Sequence, residues 1–154
     1  KRSNLPGLRS GFCAGDRDFL EAYGEIRNMC APQVSGPIQH ASAAAWNDED
    51  HVEAARAVYR RKFAAADAIL TGHFGYSRPA GGFCLWLDMS HLGGGANAAV
   101  TLWKSFGVKV IPGAFLAQPG RDGRNPGDAY VRVALVQPAG VVQEALERIV
   151  QVSA

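Results

Sequence analysis

Apolar residues recur every three or four positions along one stretch in the first half of the chain. The positions are Val52, Ala55, Tyr59, Phe63, Ala66 and Leu70. This spacing places the side chains on one face of an α-helix. Asparagine and acidic residues at 47–50 precede the stretch, and such residues cap a helix start and complement its dipole. The pattern predicts a helix over about 48 to 71 that ends at Thr71-Gly72, long enough to connect two domains.

Weaker signals before this long helix predict two shorter helices and one strand. Asp16 is a candidate cap for a helix over about 17 to 29, and Pro37 suits the first turn of a helix over about 38 to 46. The apolar run Leu8 to Ala14 predicts a short strand. We interpret residues 1 to 50 as part of one domain.

The pattern after the long helix changes to short strands alternating with helices. Strands are predicted over 82–89, 108–111 and 130–136, helices over 97–106 and 141–152, and a polar loop over 116–128. In the third strand the two alternating sets are Val131, Val133 and Leu135, and Tyr130, Arg132 and Ala134. The sequence therefore predicts an α/β fold, with a compact domain over about 72 to 154.

Composition indicates an ordinary globular protein and disfavours several classes of function. The 154 residues are 47% hydrophobic and 19% charged, and a net charge of +2 does not favour nucleic-acid binding. The apolar runs are too short to cross a membrane. Three cysteines without C-x-x-C spacing and four scattered histidines predict neither a disulfide framework nor a metal site. We therefore expect a reducing cytoplasm.

Residues that could carry chemistry begin at the first position. Lys1 opens the segment K-R-S-N-L-P-G-L-R-S-G-F, without an initiator methionine or the apolar stretch of a signal peptide, so we expect that it is not the natural start of translation but begins a fragment or part of a longer polypeptide. Arg9 follows Lys1 by eight positions and lies between Gly7 and Gly11, whose small size lets a ligand approach the backbone. A planar guanidinium suits a phosphate there, because it can donate two parallel hydrogen bonds.

This segment resembles the region around the cofactor lysine of fold-type I aminotransferases, which use pyridoxal phosphate (PLP). P-A-G-G-F at 79–83 and V-I-P-G at 110–113 resemble two further motifs of that family, and the resemblance covers essentially the whole chain. It implies the carboxy-terminal part of a PLP-dependent transferase fold. In this interpretation residues 1–50 end a large PLP-binding domain, 48–71 form a connecting helix, and 72–154 form a small domain.

The same resemblance implies roles for the two basic residues. Lys1 would hold PLP as a Schiff base and then serve as the catalytic acid and base. Arg9 would bind the PLP phosphate. Dimerisation is also implied, because active sites of this family form at a subunit interface.

Arg132 is the third candidate and lies on the alternating strand at 130–136. A charge on an otherwise apolar strand must reach water or a partner, since burying it alone is costly. The segment A-Y-V-R-V-A-L-V resembles the late strand of the family whose arginine binds the substrate α-carboxylate. The alternative is an arginine exposed to solvent on an edge strand. The strand pattern and the resemblance together favour the carboxylate-binding role.

Within the family, the first segment and A-A-A-W-N-D-E-D-H-V at 43–52 most resemble the N-succinyl-diaminopimelate aminotransferases. This resemblance implies glutamate as amino donor, an N-succinyl-amino-keto dicarboxylate as acceptor, and a place in lysine biosynthesis. Cys30-Ala31-Pro32-Gln33 stands where aspartate aminotransferases carry a side-chain-binding arginine, which disfavours aspartate specificity. Other cofactor-binding residues of the family precede its lysine, so we expect this chain alone to bind PLP weakly and not to transaminate.

Three alternatives remain open from the sequence. They are another class I/II aminotransferase, a PLP lyase on the same fold, and an aminotransferase-like ligand-sensing domain of a transcription regulator. Release of pyruvate or ammonia would indicate the lyase, and an upstream winged-helix segment would indicate the regulator. The near-neutral charge of the chain gives the regulator no support.

Overall fold

The computed structural model describes residues 2–31 and 33–153. The chain divides into two compact units, Lys1–Arg56 and Ala57–Ala154. In its described part the first unit contains helices, and the second combines helices with a three-stranded sheet. The fold is α/β, as the sequence predicts.

Two helices of the first unit form where their end signals predict them. Helix α1 spans Arg17–Cys30 and helix α2 spans Gly36–Asn47. The Asp16 carboxylate accepts a hydrogen bond from the Phe19 amide at 2.9 Å and so caps α1. Pro37 lies in the first turn of α2, where a backbone N–H would have no partner within the helix.

The long helix α3 spans Asp50–Leu70 and continues from the first unit into the second. Its start is held by Asp48, which accepts a hydrogen bond from the Asp50 amide at 2.9 Å. A second Asp48 oxygen lies 2.8 Å from Nδ1 of His51. The hydrogen bond from His51 is the main cause of the lowered pKa of Asp48. These local contacts explain why the helix predicted over 48 to 71 forms.

The strand predicted over Leu8 to Ala14 is wrong. Pro6–Leu8 form one turn of 3₁₀ helix, and the segment that follows, 9–14, is irregular. A strand needs a neighbour to pair its N–H and C=O groups. The described part of the first unit contains no strand that could pair with it.

The second unit is built on three short strands and two helices that follow α3. The strands are β1 (Cys84–Asp88), β2 (Ile111–Pro112) and β3 (Tyr130–Ala134), and the helices are α4 (Gly95–Phe106) and α5 (Ala139–Val150). The sheet order is β1-β3-β2, and both pairs are antiparallel. The last strand in the sequence is therefore the middle strand of the sheet.

The strand predicted over 108–111 is only partly correct, because pairing begins at Ile111. Val108 and Val110 are buried, at 7% and 8% exposure, without belonging to the ladder. The Val108 amide instead donates to the carbonyl of Leu102 at 3.0 Å and closes the end of α4 after Gly107. The apolar residues of this segment therefore pack into the core without strand pairing at Val108 and Val110.

One face of the sheet lies on the hydrophobic core, and the other does not. Leu85 and Leu87 of β1 and Val131 and Val133 of β3 are buried on the core face. The core residues supplied by the helices are Phe63, Ala66, Leu70, Ala98, Leu102, Val142, Leu146 and Ile149. The opposite face carries Trp86, which is 42% exposed.

Gly95 allows α4 to start against β3, and its replacement tests that packing. A Cβ at this position would lie 1.9 Å from the Tyr130 carbonyl oxygen, so Gly95→Ala must push the helix from the strand. We expect a loss of about 1–3 kcal/mol in the free energy of unfolding. Gly140→Ala in α5 is the matched control, because a Cβ there meets no atom within 4 Å. Equal urea midpoints for the two variants would contradict this packing.

Candidate active site

Arg9 lies in the first unit, immediately after the 3₁₀ turn, in a left-handed backbone conformation. Its φ is 50° and its ψ is 33°, and its amide donates to the Pro6 carbonyl at 3.2 Å. Residues other than glycine are uncommon in this region because Cβ crowds the carbonyl that follows, at a cost of about 1 kcal/mol. The turn therefore directs the Arg9 side chain at some energetic cost, which is a common feature of ligand-binding positions.

The Arg9 side chain lines an open cavity of about 590 Å³ within the first unit. The other lining residues are Ser10, Gly11, Phe12, Cys13, Tyr23, Arg27, Gln33, Val34 and Gln39. Arg9 is exposed, and its guanidinium has no hydrogen-bond or ion-pair partner among residues 2–31 and 33–153. A free guanidinium in a cavity is able to bind an anion.

Arg132 lies in the second unit, on the face of the sheet away from the core. Its Cα pairs with that of Trp86 on one side and that of Ile111 on the other, so the arginine is on the middle strand. This placement removes the alternative of an edge-strand arginine. The Arg132 Nε is buried and has no hydrogen-bond partner in the described part of the chain. An unpaired buried donor costs about 1–3 kcal/mol, which an incoming acceptor would recover.

An aromatic pair next to Arg132 was not identified from the sequence. Trp86 and Tyr130 stack with ring centroids 5.6 Å apart and an interplanar angle of 22°. Two Trp86 ring carbons also lie 3.0 Å from where a Cβ on Gly113 would be, so the ring crosses β3 towards the end of β2. The alternation in β1 could have placed Trp86 opposite the core. Its partners could not be predicted, because they depend on the pairing register.

A buried lysine anchors the chain directly after β3. Lys62 of α3 is 5% exposed, and its Nζ donates to the Leu135 carbonyl at 2.7 Å. Burial lowers the pKa of Lys62, since a charged ammonium is poorly solvated in the core. This contact ties β3, and with it Arg132, to the long helix.

Lys1, the remaining site residue predicted from the sequence, lies outside the described residues. Arg9 belongs to the first unit and Arg132 to the second. In the ranges that the structure describes, no group of three or more His, Cys, Asp or Glu side chains could hold a metal ion. Among the same residues, none of the helices is both long and apolar enough to cross a membrane.

Comparison with known proteins decides the family. The family model described as aminotransferase class I and II matches residues 1–149 of this chain. The chain belongs to the class I and II aminotransferases. Members of this family use pyridoxal phosphate.

The relatives of this aminotransferase chain include two that are named for different substrates. A 4-dedimethylamino-4-oxo-anhydrotetracycline transaminase of Streptomyces rimosus is 33% identical over 135 residues, covering 87% of this chain and 35% of that protein. An aminotransferase structure from Neisseria meningitidis is 40% identical with a TM-score of 0.85, over 99% of this chain and 38% of that one. A probable N-succinyldiaminopimelate aminotransferase from Thermus thermophilus is 25% identical with a TM-score of 0.77, and the match covers 97% of this chain and 39% of that one. This chain thus spans little more than a third of the length of these relatives.

The described residues fit PLP at the phosphate end. The free guanidinium of Arg9 could donate to a phosphate in the first-unit cavity, and the hydroxyl of Ser10 lines the same cavity. A dianionic phosphate would also accept hydrogen bonds from the Arg9 guanidinium, which has no partner among the described residues. Arg9 is therefore a described residue that could hold a phosphate group in this cavity.

Proposed function

We propose that this chain is the carboxy-terminal part of a PLP-dependent aminotransferase. Lys1 holds the cofactor covalently, Arg9 binds its phosphate, and Arg132 binds the α-carboxylate of the substrate. The observation that carries the proposal is the buried, unpartnered Nε of Arg132 on the open face of the sheet, among the residues that the structure describes. In the same proposal residues 1–50 belong to a large PLP-binding domain, 48–71 to a connecting helix, and 72–154 to a small domain.

Arg132 suits a carboxylate better than a single hydrogen-bond acceptor. Its Nε–H and one terminal N–H lie in a plane and can donate to both oxygens of a carboxylate. The Trp86–Tyr130 stack lies beside it on β1 and β3 and would cover part of a carboxylate bound there. Such a contact orients the substrate, because a two-point bond resists rotation about the carboxylate.

Lys1 supplies the chemical group that moves protons. PLP, when bound, withdraws electrons from the bonds at the substrate Cα. The Lys1 amine would take the proton from the substrate Cα and deliver it to C4′ of the cofactor, which is the proton transfer that amino transfer requires. Arg9 and Arg132 hold the phosphate end of the cofactor and the carboxylate end of the substrate during this transfer.

We propose glutamate as the amino donor and an N-succinyl-amino-keto dicarboxylate as the acceptor, which would place the enzyme in lysine biosynthesis. Support comes from the segments at 1–12 and 43–52 and from the likeness to the Thermus thermophilus protein. The tetracycline transaminase is a relative with a different substrate, so the acceptor needs a direct assay. We further propose a cytoplasmic homodimer.

Borohydride reduction of the full-length protein tests this function. Reduction should fix a pyridoxyl group on Lys1, which intact mass and peptide mapping would locate. The same preparation should convert 2-oxoglutarate and amino donors in both directions, with N-succinyl-diaminopimelate the best donor of the set. An unmodified Lys1 in protein loaded with PLP would overturn the proposal. Release of pyruvate or ammonia instead of amino transfer would favour the lyase.

Arg9→Asn should weaken PLP binding without disturbing the turn, because asparagine tolerates the left-handed conformation of Arg9. Losing a charge-assisted phosphate contact should raise the Kd for PLP by roughly 10- to 100-fold. Equilibrium dialysis against PLP would measure it. Arg17→Asn is the control, since Arg17 forms an exposed ion pair with Glu21 on α1. A Kd that changes equally in both variants would contradict the assignment of Arg9.

A further inference from the structure

Arg2 follows Lys1 in the chain and makes several contacts at one end of α2. Its Nη1 donates to the Ala45 carbonyl at 2.9 Å, and its Nη2 lies 3.5 Å from the carbonyls of Trp46 and Asp48. The same guanidinium forms an ion pair with Glu49. Its side chain is only 20% exposed, whereas the Arg17 side chain in its ion pair is 87% exposed.

The carbonyl acceptors of Arg2 belong to a helix end that needs donors. Helix α2 ends at Asn47, so the carbonyls of Ala45 and Trp46 have no amide partner within the helix. The helix dipole also places partial negative charge at this end, which favours a cation. Arg2 therefore satisfies both the hydrogen-bonding and the electrostatic requirements of the α2 terminus.

Trp46 connects this contact to the segment that contains Arg9. The Arg2 guanidinium lies 4.7 Å from the centre of the Trp46 ring, at a distance typical of a cation–π interaction. Another neighbour of Trp46 is Phe12, whose ring meets it edge to face with centroids 5.2 Å apart. Phe12 follows Arg9 by three residues. The contacts Arg2–Trp46 and Trp46–Phe12 thus connect the residue that follows Lys1 in sequence to the segment that contains Arg9.

We propose that Arg2 is the positioning residue for Lys1, an inference that rests on the proposed function. Consecutive Cα atoms are about 3.8 Å apart, so we expect the contacts that hold Arg2 to limit the freedom of the residue bonded to it. The contacts of Arg2 with α2 fix the segment, and Trp46 and Phe12 set its spacing to Arg9. Arg2 touches neither cofactor nor substrate in this proposal and acts through Lys1.

Arg2→Met and Arg2→Lys in the full-length, PLP-loaded protein test the proposal. Methionine removes the charge and the donors, while lysine keeps the charge but loses the planar fork. We expect borohydride to fix a pyridoxyl group on Lys1 of the Arg2→Met variant roughly ten-fold more slowly than in the wild type, since misplacement of a reacting group by about 1 Å can slow a reaction by that much or more. Arg2→Lys should lie between this variant and the wild type. The control is Arg17→Met, which removes an exposed ion pair.

Two readouts separate positioning from general stability. The first is the rate at which borohydride fixes a pyridoxyl group on Lys1, measured by peptide mapping. The second is the pH at which the visible absorbance of bound PLP changes, which reports the surroundings of the Lys1 nitrogen. Both should shift in Arg2→Met and Glu49→Gln, and neither in Arg17→Met. If Arg2→Met does not fold, Glu49→Gln and Arg2→Lys carry the test.

The outcomes distinguish this inference from the proposed function. An adduct on Lys1 in the wild type, with unchanged rates and absorbance in the Arg2 and Glu49 variants, would overturn the positioning role alone. A wild type that forms no adduct on Lys1 would overturn the proposed function and the role of Arg2 together. A shifted trapping rate in Arg2→Met, with behaviour partly restored in Arg2→Lys, would support the inference.

Discussion

Replacing Lys1 with alanine in the full-length protein should abolish amino transfer. Under the proposed function, the substitution would remove both the covalent attachment of PLP and the amine that moves the proton from the substrate Cα. General acid–base catalysis by one positioned group accounts for about 10²- to 10⁴-fold in rate, so we expect a fall in kcat of at least about 10³-fold. A coupled assay of glutamate formation would measure it.

The control for Lys1 is another lysine whose charge is dispensable to the fold. Lys109→Ala is suitable, because Lys109 is exposed between two buried valines of the second unit. This variant should keep the wild-type rate and the wild-type pyridoxyl adduct. Normal turnover in Lys1→Ala would refute the assignment of Lys1, whatever the behaviour of the control.

Replacing Arg132 with alanine should raise KM roughly 100-fold for amino donor and keto acceptor alike. Under the proposed function both substrates carry an α-carboxylate, and each would lose two charge-assisted hydrogen bonds to Arg132. The fold should be preserved, because the Arg132 Nε has no partner in the described residues. Steady-state kinetics with donor and acceptor varied in turn would give the two KM values.

The pattern of the two KM values decides what Arg132 binds. A rise for only one substrate would show that Arg132 contacts a side-chain group and not the shared carboxylate. An unchanged KM for both substrates would contradict the proposed binding of substrate by Arg132. Arg132→Lys should recover part of the loss, because the charge remains while the planar fork is lost. Arg61→Ala, at an exposed position on α3, controls for a simple change of net charge.

The order of the strands in the sheet and the contact partners of the site residues could not be predicted from the sequence. Arg132 was predicted on a strand, and β3 does alternate between buried and less buried positions. Its position on the middle strand depends on pairing with Trp86 of β1 and Ile111 of β2, both distant along the chain. The same register brings Trp86 and Tyr130 together. The wrong strand at 8–14 has the same origin, since an apolar run does not reveal whether a pairing partner exists.

What the sequence by itself determined is the set of elements whose causes are local. The caps at Asp16 and Asp48, the helical spacing along α3 and the alternation in β3 all involve residues within a few positions of each other. The segment around Lys1 and Arg9, which resembles the cofactor-lysine region of the family, is equally local, and the roles of its residues stay a prediction. Only the tertiary structure decided that Arg2 reaches carbonyls 43 to 46 residues away and that the Arg132 Nε is buried without a partner among the described residues. The physical reason is that such contacts depend on how separate elements pack, and spacing along the chain carries no record of that.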